Sequence, residues 1–69
     1  MTKVQITYKL TRELSEQDLK SLARVTSVYG IFGARLRGTG DELFVEYDAS
    51  RLSAKEVRGT LEEHGIPVA

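Results

Sequence analysis

Residues 38–57 have the sequence GTGDELFVEYDASRLSAKEV, in which a turn, a strand and the start of a helix follow one another. The first four residues place two glycines around a threonine, which is typical of a turn between two extended segments. Apolar and polar residues then alternate with the period of two of a half-buried strand. The strand residues expected to face the core are Leu43, Val45 and Tyr47. Ser53 and Glu56 have the spacing of a capping box, which predicts that a helix begins there.

The residues before this stretch follow the same order of strand and helix. An alternation of apolar and polar residues from Val4 to Leu10 predicts a first strand with one buried face. Ser15 and Asp18 have the spacing of a second capping box, and we expect the helix to continue to Gly30. The positions expected to form a hydrophobic staple across this helix start are Leu14 and Leu19.

Residues 31–37 are predicted to form the second strand, with a bulge at Phe32 and Gly33 that lets Ile31 face the core. The second helix is expected to end before Gly65. Residues 66–68 are predicted to form a fourth strand at a sheet edge, since Pro67 cannot donate a ladder hydrogen bond.

The element order predicts an α+β fold of the ferredoxin-like βαββαβ type. Its four-stranded antiparallel sheet would carry both helices on one face, as right-handed crossovers require. The 69 residues are expected to form a single domain, residues 1–69. The chain shows no apolar run long enough for a membrane span and no apolar core of a signal peptide, so we expect a cytoplasmic protein with no membrane role.

The chain also resembles a known family in the spacing of its core and turn residues. The matching residues are Gly30-Ile31-x-x-Ala34-x-Leu36, Gly40-x-x-Leu43-x-Val45-x-Tyr47-Asp48, Leu52, Val57 and Leu61-x-x-x-Gly65-Ile66. This pattern resembles the heavy-metal-associated domains, which are copper chaperones and the N-terminal modules of P-type ATPases. The resemblance implies the fold described above, a role related to metal transport, and contact with a partner protein.

The family's metal ligands do not carry over to this chain. A Met-Thr-Cys-x-x-Cys stretch holds the metal in that family, and its cysteines would fall at about Leu14 and Gln17. The sequence contains no cysteine, and its one sulfur-containing residue is Met1. Because Cu(I) needs sulfur ligands, we do not expect Cu(I) binding. The loop that matches the family's metal loop is instead a candidate protein-binding surface, formed by Leu14, Ser15, Glu16 and Gln17.

A weak, thiol-free cation site is the remaining metal hypothesis. In the predicted topology His64 approaches the first strand-to-helix loop, where Glu13 and Glu16 lie. One imidazole with carboxylates could hold Zn²⁺ or another divalent cation weakly. The alternative is a solvated histidine that interacts favourably with a helix C-terminus. We expect no resident cofactor.

The sequence does not favour an enzyme. It has one histidine and no cysteine, and its serines fall at helix caps without a base partner. The expected role is a non-catalytic binding or regulatory module that contacts a protein partner or a second copy of itself.

Two alternatives remain open. On the sheet face without helices, Phe44 lies beside Arg35 and Arg37, an arrangement that could bind single-stranded nucleic acid. The zero net charge and the single confident outward ring argue against nucleic acid. Phe44 could equally pack against the aliphatic stems of its neighbours. A dimeric module that binds a small effector molecule is the other alternative.

Overall fold

The computed structural model describes residues 2–69. Three strands and two helices follow one another as β1 (Lys3–Lys9), α1 (Glu16–Val25), β2 (Ile31–Arg37), β3 (Glu42–Asp48) and α2 (Ala54–Glu63). The strands form one antiparallel sheet in the order β1-β3-β2. The α+β class and the antiparallel sheet agree with the sequence-based prediction.

Both predicted capping boxes are present and set where the helices begin. The Ser15 side chain accepts a hydrogen bond from the Asp18 N–H, and the Asp18 side chain accepts one from the Ser15 N–H. Ser53 and Glu56 make the same reciprocal pair at the start of α2. Each box satisfies two backbone N–H groups that have no partner within the helix.

The end of α1 differs from the prediction. The helix ends at Val25, and the chain leaves it through a turn before Gly30. The Thr26 hydroxyl donates to the Ala23 carbonyl at 2.8 Å, and the Ser27 hydroxyl donates to the Arg24 carbonyl at 2.6 Å. Hydroxyls that bond nearby backbone carbonyls compete with helix continuation. The prediction that the helix extends to Gly30 was therefore wrong.

The end of α2 agrees with the prediction. His64 is the C-cap residue, and Gly65 follows it with a φ of +75°. The Gly65 N–H donates to the Glu62 carbonyl, and the Ile66 N–H donates to the Leu61 carbonyl, each at 3.0 Å. These two bonds form a Schellman motif, which requires the left-handed conformation that glycine adopts readily.

The predicted bulge in β2 is present. Ile31 pairs with Tyr47 and Gly33 pairs with Glu46, so that Phe32 is an extra residue in the ladder. The bulge lets Ile31 face the core, where it is buried. Because β3 lies in the middle of the sheet, β2 forms one of its edges.

The predicted fourth strand is reduced to a single bridge. Val68 forms an isolated antiparallel bridge with Leu10, and no further ladder follows among residues 2–69. The Thr11 N–H donates to the Pro67 carbonyl, and the Ala69 N–H donates to the Lys9 carbonyl, each at 2.8 Å. Pro67 has no N–H to donate to a ladder, which is consistent with pairing limited to this one bridge among residues 2–69.

One apolar core joins the helices to one face of the sheet. The buried residues that form it are Tyr8, Leu22, Val25, Ile31, Leu43, Val45, Tyr47, Val57, Leu61 and Ile66. Five of the strand residues expected to face inward are in this set, whereas Val4, Ile6 and Leu10 are only partly buried against it. Since α1 and α2 both contribute to the same core, both helices lie on the same sheet face, and the opposite face is open.

Candidate functional site

The loop before α1 is closed by its own side chains. Two guanidinium nitrogens of Arg12 contact the two carboxylate oxygens of Asp18, with Nη2 at 3.4 Å from Oδ1. Oδ2 also accepts the Ser15 N–H at 2.9 Å. Arg12 Nη1 further donates to the Glu13 carbonyl at 3.1 Å. We call this set of contacts between Arg12, Ser15 and Asp18 the clasp.

The clasp perturbs the titration of its acid. The hydrogen bonds from Arg12 and from the Ser15 backbone stabilise the charged carboxylate and lower the pKa of Asp18 from 3.8 to about 2. The same hydrogen bond raises the pKa of Arg12. Asp18 is therefore ionised near neutral pH, where it pairs with Arg12.

The four predicted binding residues have different surroundings. Leu14 is half-buried and packs against the core, whereas the other three, Ser15, Glu16 and Gln17, are exposed. Ser15 is already engaged as the helix cap. The backbone places all four in one continuous surface segment at the start of α1.

Leu19 is an exposed residue that the sequence reasoning missed. It was expected to pack on Leu14 in a hydrophobic staple, but 46% of it remains exposed. Leu22 takes the buried position on the helix face toward the core instead. On α1 the exposed Leu19 lies one helical turn after Glu16, whereas Gln17, two residues before it, lies on another side of the helix. We call Leu14, Glu16, Gln17 and Leu19 the loop surface.

The loop surface does not fit a soft metal ion. Leu14 and Gln17 stand where the family's thiolates would lie, and the chain has no cysteine. Met1, the one sulfur-containing residue, lies outside the described residues. Alkyl and amide side chains cannot supply the sulfur ligands that Cu(I) requires.

The three residues of the thiol-free metal hypothesis do not form a ligand group. Within residues 2–69, no three His, Asp or Glu side chains converge in a way that could hold a metal ion. His64 Nδ1 lies 2.8 Å from the Thr60 carbonyl oxygen, in the last turn of α2. Because a carbonyl only accepts, this contact places a proton on Nδ1 and leaves Nε2 as the free ligand atom of the neutral ring. Glu13 and Glu16 are exposed around the start of α1.

Phe44 does not present a free ring on the open sheet face. It is only 6% exposed, although no helix covers that face. The Arg35 and Arg37 guanidinium carbons lie 5.0 and 3.9 Å from the centre of its ring. The expectation of an exposed Phe44 was therefore wrong, and the alternative of packing beneath neighbouring side chains is what the structure shows.

The β1 side of the open face carries a compensated charge cluster. Glu46 accepts a hydrogen bond from the Gln5 amide at 3.3 Å and lies 3.4 Å from the Lys3 ammonium. These contacts lower the pKa of Glu46, with the Gln5 hydrogen bond as the largest cause. Phe32, in β2, is 43% exposed, and the Lys3 ammonium lies 5.8 Å from its ring centre.

Asp48 is buried, and its carboxylate oxygens are occupied by contacts that hold neighbouring parts of the fold together. Its Oδ1 accepts the Thr2 N–H at 3.1 Å and the Ser50 hydroxyl at 2.6 Å, and Oδ2 lies 3.4 Å from Arg51 Nε. The Ser50 hydroxyl bond is the largest cause that lowers the pKa of Asp48 to about 2. The carboxylate thus ties the start of β1 to the turn before α2.

Two further surface properties bear on function. No pocket is found in the surface formed by residues 2–69. None of the helices in this described part is long and apolar enough to cross a bilayer.

Comparison with known proteins gives a clear result for the fold. No family profile and no curated protein sequence matches the chain. Apo-CopP from Helicobacter pylori has a TM-score of 0.79 at 15% identity, covering 96% of this chain and 100% of CopP. A protein from Bacillus anthracis strain Ames has a TM-score of 0.79 at 16% identity, and the match covers 99% of this chain and 97% of that protein. Copper-ion binding by that protein is itself inferred. Oxidized MerP from Ralstonia metallidurans CH34 has a TM-score of 0.77 at 13% identity, and the match covers 99% of this chain and 96% of MerP.

These similarities show that the chain has the fold of metal-trafficking proteins. The α+β fold that the resemblance implied is confirmed, apart from the fourth strand, which is reduced to one bridge among residues 2–69. The cytoplasmic location stays a prediction, because one solved structure of this fold is a MerP described as the periplasmic protein of mercury detoxification.

Proposed function

We propose that this chain is a non-catalytic protein-binding module that keeps the metallochaperone fold without its soft-metal chemistry. The observation that carries the proposal is the clasp, which occupies the loop that holds the metal in the resembling family. An ion pair between Arg12 and Asp18 closes that loop, and the positions that the resemblance aligns with the two cysteines are Leu14 and Gln17. The side chains of the loop itself therefore supply contacts that fix its shape.

The loop surface is the proposed contact site. Leu19 supplies an exposed apolar side chain, Glu16 supplies a charged group one helical turn before it, and Gln17 is an exposed polar residue at the helix start. An apolar side chain surrounded by polar residues is the usual arrangement of a small docking site. The proposed partner is another folded protein, and a second copy of this chain is the alternative that an oligomeric-state measurement tests.

A pair of variants tests whether sulfur alone separates this chain from a Cu(I) carrier. The wild type is expected to leave Cu(I) with a competing chelator. The double substitution Leu14→Cys and Gln17→Cys is expected to bind one Cu(I) per chain, because it restores two thiolates at the start of α1. Leu14→Ser with Gln17→Ser is the matched control and is expected to behave as the wild type. Tight, stoichiometric Cu(I) binding by the wild type would overturn the proposal.

A second experiment tests the contact site directly. A photo-crosslinking amino acid is placed at Gln17 on the loop surface or at Lys55 at the start of α2, both of which are exposed. Cross-links to a defined partner are expected from position 17 and not from position 55. The same partner captured equally from both positions, or from position 55 alone, would contradict the assignment of the loop surface. Sedimentation of the uncrosslinked chain separates a hetero-partner from self-association.

A further inference from the structure

The outer edge of β2 has backbone groups without partners. The Asp48 N–H donates to the Gly30 carbonyl at 2.7 Å, so alternate residues of β3 direct their backbone groups toward β2. The β2 residues paired with them are Gly33, Arg35 and Arg37. By alternation, the N–H and C=O groups of Ala34 and Leu36 point away from the sheet, and they make no backbone hydrogen bond outside the strands within residues 2–69.

The side chains of this edge have a consistent two-faced pattern. Arg35 and Arg37 lie on the open face, two residues apart, which places them ~7 Å from each other along the strand. The four ion pairs found among residues 2–69 include neither of them. Leu36 points to the helix side but is 39% exposed, because it lies at the sheet edge beside Leu43.

Phe44 holds the two arginines in place. Both guanidinium groups lie over its ring, which restricts their rotamers before any partner arrives. A guanidinium stacked on an aromatic ring keeps its N–H donors at the rim, where a carboxylate can accept two of them. The edge therefore combines free backbone groups, two oriented cations and an exposed apolar side chain.

We propose that β2 binds an extended acidic segment of a partner protein as an added strand. Carboxylates of the segment lie opposite Arg35 and Arg37 on the open face, and apolar side chains lie opposite Ala34 and Leu36. Backbone hydrogen bonds to Ala34 and Leu36 supply part of the affinity, and the alternating side chains supply specificity. The occupant is argued from charge complementarity, because Arg35 and Arg37 form none of the ion pairs found among residues 2–69 and lie exposed beside an open strand edge.

This surface is separate from the loop surface, so the two proposals fail independently. The arginines also discourage pairing with a second copy in the register that brings Arg35 opposite its equivalent, because like charges would then meet across the strands. An acidic strand removes that repulsion. Nucleic acid is less suited to this edge, since the ring that could stack a base is covered by the arginines themselves.

The test uses an acetylated peptide of ~9 residues in which Glu and Val alternate, long enough to cover one strand. Binding is followed by backbone amide shifts of the full chain. Shifts are expected along β2 and to weaken as salt increases. The same peptide with Lys at every Glu position is expected not to bind. The acidic peptide with alternate N-methylated backbone is also expected not to bind, because it cannot complete the ladder.

Protein variants separate local recognition from net charge. Arg35→Glu with Arg37→Glu is expected to weaken peptide binding at least about tenfold, which corresponds to the loss of charge-assisted hydrogen bonds. Lys9→Glu with Lys20→Glu changes the net charge equally and is expected to retain binding within about threefold. Ala34→Pro removes one outward N–H where an edge strand tolerates proline, so it is expected to weaken binding while the circular dichroism spectrum is kept.

Several results would overturn the proposal. If the double arginine variant and the double lysine variant lost peptide affinity equally, net charge alone would attract the peptide. Equal binding of the lysine or N-methylated peptide would exclude an added strand. Shifts confined to residues 11–17 would assign the peptide to the loop surface, and stronger binding of a single-stranded oligonucleotide at β2 would assign the arginines to nucleic acid.

Discussion

Removing one hydroxyl group from the core is expected to make this protein more stable. Tyr8 is 7% exposed, and its Oη is the one buried side-chain polar atom without a hydrogen-bond partner among residues 2–69. A buried polar group left without a partner costs about 1–3 kcal/mol. Tyr8→Phe recovers this cost and loses the few dispersion contacts of one oxygen atom, each about 0.1–0.2 kcal/mol. The expected net gain is about 1 kcal/mol in the free energy of unfolding.

The measurement is urea-induced unfolding together with a thermal scan. A gain of 1 kcal/mol raises the Tm by about 4–8 °C in a domain of this size. Tyr47→Phe is the matched control: Tyr47 is equally buried at 6%, but its hydroxyl is not a buried atom without a partner. We expect that control to change the free energy of unfolding by less than about 0.5 kcal/mol.

The pH dependence provides a second readout of the same hydroxyl. Burial raises the pKa of Tyr8 above 10.0, with the nearby Tyr47 phenol adding to the shift and Arg58 opposing it. The unfolded chain therefore ionises first, so wild-type stability is fully present below pH 10 and falls above it. Tyr8→Phe removes this contribution, and its advantage should widen above pH 10. A Tyr8→Phe protein less stable than the wild type near neutral pH would refute the reasoning, because it would mean that the hydroxyl is paired.

Three further predictions concern the glycines of α2 and its end, the clasp, and His64. Gly59→Ala should raise the free energy of unfolding by up to about 1 kcal/mol, because alanine favours the helix and nothing lies within 4 Å of the added Cβ. Gly65→Ala should lower the free energy of unfolding, because the φ of +75° at this position disfavours any residue with a Cβ. Denaturation at several pH values should show that wild type and Asp18→Asn differ less in free energy of unfolding as the pH falls from 3.8 to about 2. The reason is that protonation of Asp18 removes the stability that its lowered pKa gives the folded state. A difference that stays constant with pH would argue against the clasp. Zinc titration followed at the His64 ring should give no site-specific shift at millimolar metal, whereas a saturable shift would revive the thiol-free site.

The parts of the fold that were predictable from sequence depend on near neighbours. The capping boxes at Ser15 and Ser53 and the C-terminal turn at Gly65 each involve residues within five positions of one another. Their hydrogen bonds form in whatever tertiary context the helix has. The bulge at Phe32 was similarly predictable, because an internal glycine in a strand pattern marks it.

The errors arose where distant residues decide the outcome. Phe44 was expected to be exposed, but two arginines from the neighbouring strand cover it. Leu19 was expected to pack on Leu14, but its 46% exposure was not foreseen, because Leu22 and Val25 fill the contact between α1 and the core. The residues of the candidate loop were predictable from the resemblance, whereas the ion pair of Arg12 with Asp18 was not, because six residues and a change of chain direction separate them.

The clasp changes how this domain responds to its surroundings. A loop that gains its shape from a bound ion softens when chelators or oxidants remove that ion or its ligands. In this chain the entropy lost on ordering the loop is lost when the protein folds, because the ion pair of Arg12 with Asp18 is part of the folded structure. A partner that binds the loop surface as proposed would meet a surface that is already formed, which favours rapid rigid-body association over induced fit. Recognition through this loop would then be indifferent to the redox state and metal supply of the compartment in which it occurs.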